Sequence, residues 1–109
     1  MQSRKELPAC PVETSLLMIG SKWKILILRN LFQRPWRFNE LKKSLTGISQ
    51  KVLTETLRAM ESDGMIHRTV FAEVPPRVEY SLTELGKSTK PILDALETWG
   101  ENYKKIPSE

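Results

Sequence analysis

The chain has 109 residues, enough for one domain with a modest core. Its 17 Lys and Arg against 13 Asp and Glu leave a formal net charge of +4, which suits a polyanionic partner without demanding one. A lone cysteine, Cys10, excludes a disulfide framework and a zinc site built from cysteines. The longest aliphatic run, Ile25-Leu26-Ile27-Leu28, falls far short of the roughly 20 residues of a spanning helix, so a cytoplasmic protein free of membranes is expected.

Residues 1–9 are polar and expected to form a flexible N-terminal arm, ahead of a domain over 10–105. A short helix follows Cys10. Pro11 fits its first position, Glu13 suits its first-turn dipole, Val12, Leu16 and Ile19 share a face, and Gly20 ends it. Ser21 caps a second helix running to about Phe32. Its apolar residues (Trp23, Ile25 to Leu28, Leu31 and Phe32) make it the central helix of the core, with Lys22, Lys24 and Arg29 outward. Pro35 punctuates a turn over 33–37, with Trp36 expected to cover it. Phe38 to Leu45 reads as a short third helix, with Phe38, Leu41 and Leu45 inward and Lys42 and Lys43 outward.

Thr46-Gly47-Ile48 is a tight turn into the stretch that organises the chain, a helix over about 49–63. Ser49 is its N-cap and Gly64 its C′ residue. Val52, Leu53, Leu57 and Met60 form an apolar stripe, while Gln50, Lys51, Thr54, Glu55 and Arg58 form a polar face. Taken alone, that polar face is as well explained by solvation. Its setting, after a helix and a short glycine-bearing turn, is the helix-turn-helix pattern.

After Gly64 the period becomes alternating. Met65 to Phe71 and Arg77 to Leu82 read as two strands joined by a tip containing Pro75 and Pro76, a β-hairpin wing over about 65–82. Thr83 is the preferred cap of a last helix over about 84–105, roughly 33 Å long and kinked at Pro91. Leu85, Ile92, Leu96, Trp99 and Tyr103 form its apolar seam. So long a helix on so small a body leaves that seam for a second copy, together with the first helix. The fold class is therefore mainly α with a β-hairpin wing: a winged helix-turn-helix with a long C-terminal helix for dimerisation.

Seven motifs in order, from Cys10-Pro-Val-Glu13 and Ile19-Gly-Ser-Lys-Trp23, through Arg37-Phe-Asn-Glu-Leu41, Gly47-Ile-Ser49, Leu53-Thr-Glu-Thr-Leu57 and Glu61-Ser-Asp-Gly64, to Pro76-Arg-Val-Glu-Tyr-Ser-Leu-Thr-Glu-Leu-Gly86, closely resemble the HxlR-type regulators. These are bacterial winged-helix transcription factors of the MarR-like fold group. The resemblance implies a homodimer built on the first and last helices, a recognition helix in the major groove, and wings on the flanking minor groove or backbone. It also implies that Cys10 matches the cysteine through which several members sense electrophiles or oxidants. No second cysteine in the chain can pair with it.

Double-stranded DNA offers phosphates to Lys and Arg, and base edges to amides, hydroxyls and guanidinium groups. Gln50, Lys51 and Thr54 are assigned to base edges, Arg58 to phosphate, and Ser49 to its cap with a backbone N–H left for phosphate. Arg37, Lys42 and Lys43 are read as phosphate contacts, or else as solvated charge. Arg68 belongs to the wing's contacts. Arg77, beside the tip, either enters a minor groove or pairs with Glu73 or Glu79. Cys10, at a helix start, is either a reactive thiol or a small packing residue of the dimer interface formed by Val12, Leu16, Ile92, Leu96, Trp99 and Tyr103. No nucleophile–base pair, metal-ligand spacing or cofactor motif is visible, so an enzyme is not expected. The competing readings are a winged-helix module that binds protein, and a DNA-binding regulator controlled by a small ligand.

Overall fold

Ser21 opens the helix around which the core is built. Its hydroxyl accepts a bond from the Lys24 N–H at 3.1 Å, capping α2 (Lys22–Leu31). The computed structural model describes residues 7–108. Within them, α1 is Pro11–Ile19, α3 is Phe38–Ser44 and α4 is Gln50–Ser62. Strands β1 (Ile66–Phe71) and β2 (Arg77–Leu82) follow, then α5 (Glu84–Lys87) and α6 (Lys90–Lys104). Of the arm expected over 1–9, residues 1–6 lie outside the described residues.

Ile27 and Leu28 of α2, Leu41 of α3, and Leu53, Leu57 and Met60 of α4 are sealed from solvent, with Ile48 and Met65 beside them. Each such side chain stabilises the fold by about 1.5–3 kcal/mol through burial. This is the packing that sets α4 across α2. Val52 departs from the expected stripe. It stands one residue off the Leu53–Leu57–Met60 face, and a step of about 100° around the helix turns it to solvent. On α2, only Ile27, Leu28, Asn30 and Leu31 are buried; Trp23, Ile25 and Leu26 are half-covered.

The wing is an antiparallel hairpin with Ile66 opposite Leu82 and Arg68 opposite Tyr80. Alternation puts Ile66, Arg68, Tyr80 and Leu82 on one side, where Ile66 and Tyr80 are buried. Trp36 pairs with the free edge of β2. Its N–H donates to the Tyr80 carbonyl at 3.0 Å, and the Tyr80 N–H donates back at 2.8 Å. This single bridge ties the turn between α2 and α3, and with it the helix-turn-helix, to the wing.

The single long C-terminal helix is corrected. The chain makes one turn, α5, and then restarts as α6 after Ser88 and Thr89. Thr83 is the cap, as its sequence position implied, accepting from the Gly86 N–H at 2.9 Å. The break follows from local chemistry. The Thr89 hydroxyl donates back to the Gly86 carbonyl at 2.7 Å, and Pro91 supplies no N–H to an upstream carbonyl. Pro91 therefore falls in the first turn of α6, where proline fits, and no kink within a longer helix is formed. Leu85, expected in the seam, is exposed on α5 and lines one shallow hollow with Ile92 of α6.

Candidate nucleic-acid interface

Two glycines bracket α4. Gly47 (φ 93°) and Gly64 (φ 80°) take the left-handed conformation that a side chain would strain, so the chain turns sharply into and out of this helix. Ser49 accepts from the Val52 N–H at 3.1 Å and fixes the helix start. At the start of α3, the Glu40 carboxylate accepts from the Arg37 N–H at 2.8 Å and from Arg34 at 3.2 Å. The backbone bond from Arg37, followed by the one from Arg34, holds the Glu40 carboxyl below its usual range. Arg34 also lies 3.9 Å from the centre of the Trp36 ring, so it is committed to the fold.

Gln50, Lys51 and Arg58 are exposed on α4, and Thr54 is half-buried. Gln50, Thr54 and Arg58 line one polar cleft of about 480 Å³ with Arg68 of the wing, Phe38 of α3 and Glu61. Arg68 comes into it because it shares the inner side of the hairpin with Tyr80, which also lines the cleft. The structure thereby joins two assignments that the sequence had made separately, recognition helix and wing. Lys51 lies outside that cleft lining. Arg37, Lys42 and Lys43 are exposed on α3 and the residue before it.

The basic side chains divide into two groups. Arg34, Arg77, Lys87 and Lys90 each have a carboxylate within 4.0 Å. Among the described residues, Lys22, Lys24, Arg29, Lys104 and Lys105 have none, and neither do Arg37, Lys42, Lys43, Lys51, Arg58 and Arg68, which group on α4, β1 and around α3. Arg77 forms the ion pairs that the second of its two sequence readings named. It meets Glu73 at 3.1 Å and Glu79 at 3.6 Å, with its guanidinium 4.1 Å from the centre of the Phe71 ring. The Glu79 contact is an ion pair and not a hydrogen bond, since the buried Nε lacks a hydrogen-bond partner.

Cys10 is the N-cap residue of α1 and is exposed, with its side chain taking no part in the cap. Val12 and Leu16 stand exposed on the same helix. On α6, Ile92, Leu96, Trp99 and Tyr103 are 42–69% exposed, although they are large and apolar. Their spacing is four, three, four, which is the heptad seam that helices use to pair. Trp99 and Tyr103 stack along it at 5.4 Å between ring centres. Ile106, two residues past the end of α6, is exposed as well and was not among the residues that sequence reasoning had named. Sequence reasoning also missed buried Asn30; its position three residues after Ile27, on the inward side of α2, was the available signal.

A family model described as HxlR-like helix-turn-helix matches residues 18–107. The chain is 48% identical over 102 residues to the uncharacterized HTH-type transcriptional regulator YdeP of Bacillus subtilis, covering 94% of this chain and 80% of that one. It is 53% identical over 94 residues to an uncharacterized HTH-type transcriptional regulator of Methanothermobacter thermautotrophicus, covering 86% of this chain and 72% of the other. Among solved structures, the redox regulator HypR in its oxidized form superposes with a TM-score of 0.82 at 45% identity, covering 85% of this chain and 96% of that one. Order of elements, wing and sequence agree: the chain belongs to the HxlR-like helix-turn-helix family of transcriptional regulators.

Proposed function

We propose that the chain binds an operator as a homodimer and represses the promoter it covers. The observation that carries the DNA contact is the set of six cations without carboxylate partners on α4, β1 and the α3 end, beside a polar cleft between helix and wing. What sets these six apart is their grouping on α4, β1 and around α3, beside the cleft, where phosphates can take the place of carboxylate partners. In this reading α4 enters the major groove. Gln50, Lys51 and Thr54 meet base edges, while Arg58, Arg37, Lys42, Lys43, Arg68 and the Ser49 N–H meet phosphates. Arg77 holds the wing tip in shape. The exposed α6 seam and the apolar residues of α1 support pairing with a second copy, and twofold symmetry then implies a pseudo-palindromic site. With its DNA target, the protein works in the cytoplasm.

The test is fluorescence anisotropy on a duplex selected by the protein from a random library, over a range of salt. Affinity should fall steeply and linearly in log–log form as salt rises. Binding that ignores salt, or a library that yields no preferred duplex, would favour the protein-binding module instead.

Thiol control has its own support: an exposed Cys10 at a helix start, and a relative at 45% identity that is a redox regulator. With one cysteine per chain, the available chemistry is a bond between the two Cys10 sulfurs of a dimer, or a sulfenic acid or alkyl adduct on each. The disulfide releases two protons and two electrons to an external oxidant such as a peroxide. Cys10→Ser should bind DNA as the parent does and lose every response to oxidant. A response that survives in this variant removes the thiol from the mechanism.

A further inference from the structure

Asn30 is buried to 2% exposure at the centre of the helix-turn-helix, and every polar group of its side chain is engaged. Its Nδ2 donates to the Ser44 Oγ, the last residue of α3, at 3.1 Å. Its backbone carbonyl accepts from the Trp36 indole at 2.8 Å. Its Oδ1 accepts two bonds from the Arg29 guanidinium, at 3.1 and 3.0 Å. Asn30 is thus the junction of α2, the following turn and the end of α3.

Arg29 also lines a cleft of about 480 Å³ between α2 and α6. Ile25, Leu26, Phe32 and Leu93 give that cleft its apolar surface, and its size falls within the range of small-molecule sites. Three further charges line it. Lys90 and Asp94 satisfy each other at 2.9 and 3.0 Å, and Glu97 is exposed and has no cation within 4.0 Å. Arg29, like Glu97, has no counter-charge within 4.0 Å; it gives two of its five N–H groups to a neutral amide oxygen. A carboxylate is a stronger acceptor than an amide and matches the guanidinium fork with two parallel bonds.

We propose that the cleft between α2 and α6 binds a small apolar carboxylic acid as its anion, which draws Arg29 from Asn30 and so loosens α3 from α2. The apolar body of the acid lies against Ile25, Leu26, Phe32 and Leu93, and its carboxylate takes the guanidinium. Asn30 Oδ1 then loses both donors while buried. Its amide must turn to find another, and the bond to Ser44 goes with it. The end of α3 and the turn that leads into α4 lose their tie, and the acid weakens operator binding. The consequence for DNA rests on the function proposed above; the binding chemistry does not.

The test uses the full chain with benzoate and hexanoate as probes, and benzylamine and hexylamine as controls. Nitrogen NMR of Arg29 Nε and the Asn30 side-chain amide reports occupancy, and anisotropy on the selected duplex reports the consequence. Both acids should shift these resonances to saturation and reduce DNA affinity roughly fivefold or more, with no effect from the amines. Arg29→Gln should abolish both effects. Ser44→Ala should keep the Arg29 shift but bind DNA at the weakened level with or without acid. Glu97→Gln should tighten acid binding by removing a like charge. Amines that act as the acids do, acids that leave Arg29 unmoved, or a DNA response that survives in Arg29→Gln would overturn the proposal. Protein that takes up acid but binds no selected duplex would sink the DNA reading and leave the cleft standing. Acid uptake without any change in DNA affinity would overturn the coupling through Asn30.

Discussion

Thr83→Ala should destabilise the protein by about 2 kcal/mol, more than its half-buried position suggests. The Thr83 hydroxyl accepts from the Gly86 N–H at 2.9 Å, and its single hydrogen is shared between the Gly64 carbonyl at 2.7 Å and the Met65 carbonyl at 3.0 Å. Losing the cap costs about 1 kcal/mol. Losing the donated bond leaves the Gly64 carbonyl short of its partner for about 1 kcal/mol more. The Met65 carbonyl contributes little to the loss, because it still accepts from the Thr83 N–H at 3.2 Å. For a domain of this size that sum lowers the melting temperature by roughly 8–15 °C. Urea and thermal unfolding should be followed by circular dichroism at one fixed protein concentration, since pairing of chains also shifts stability. Thr83→Ser keeps both roles of the hydroxyl and should stay near the parent. If the serine variant falls as far as the alanine variant, or the alanine variant loses less than about 0.5 kcal/mol, the cap-and-tie account is wrong.

Lys42→Gln should weaken DNA binding alike on all sequences and flatten the log–log salt slope by about 1.8 for a dimer, one phosphate contact per chain; an unchanged slope would return Lys42 to solvated charge. Arg77→Met should speed amide exchange at Phe71 to Arg77 while leaving that slope unchanged, because its guanidinium serves Glu73, Glu79 and Phe71; a flatter slope would put Arg77 on DNA. Glu40 has its folded-state pKa lowered from 4.5, chiefly by the Arg37 N–H bond and next by Arg34, so its extra stabilisation is complete above that value and disappears as pH falls through the lower folded one. The gap in urea midpoint between parent and Glu40→Gln should accordingly be steady near neutral pH and narrow in acid. A gap that widens in acid would contradict the assigned bonds.

Local chemistry made most of the architecture legible. Ser21, Ser49 and Thr83 each announce a helix because a short hydroxyl reaches an orphan N–H, and each does so in the structure. Gly64 marks the end of α4 because only glycine takes its φ of 80° without strain. The alternation after Gly64 gave the hairpin and its turn. What escaped was non-local or competitive. The end of α5 depends on the Thr89 hydroxyl turning back to Gly86, which the apolar periodicity from Leu85 to Tyr103 masks. Val52 satisfies helical spacing nearly as well as Leu53, and only packing against α2 decides between them. At the interface, the polar face of α4 was readable, but the approach of Arg68 to Arg58 required the strand pairing of Arg68 with Tyr80. Arg77 had two sequence readings with nothing local to choose between them, and the approach of Glu73 and Glu79 supports the ion-pair one.

The pairing of Trp36 with Tyr80 bears on how this small protein stays in solution. A two-stranded ribbon has two open edges, and each is a template on which another chain can add a strand. Trp36 occupies part of the edge of β2 and leaves β1 as the outer one. That outer edge carries exposed His67, Arg68 and Thr69 before exposed Val70. A second β1 laid against it would bring another arginine up to this one and be repelled. The cations of the wing therefore guard against sheet-to-sheet aggregation, and neutralising variants made to study DNA binding should also be watched for turbidity.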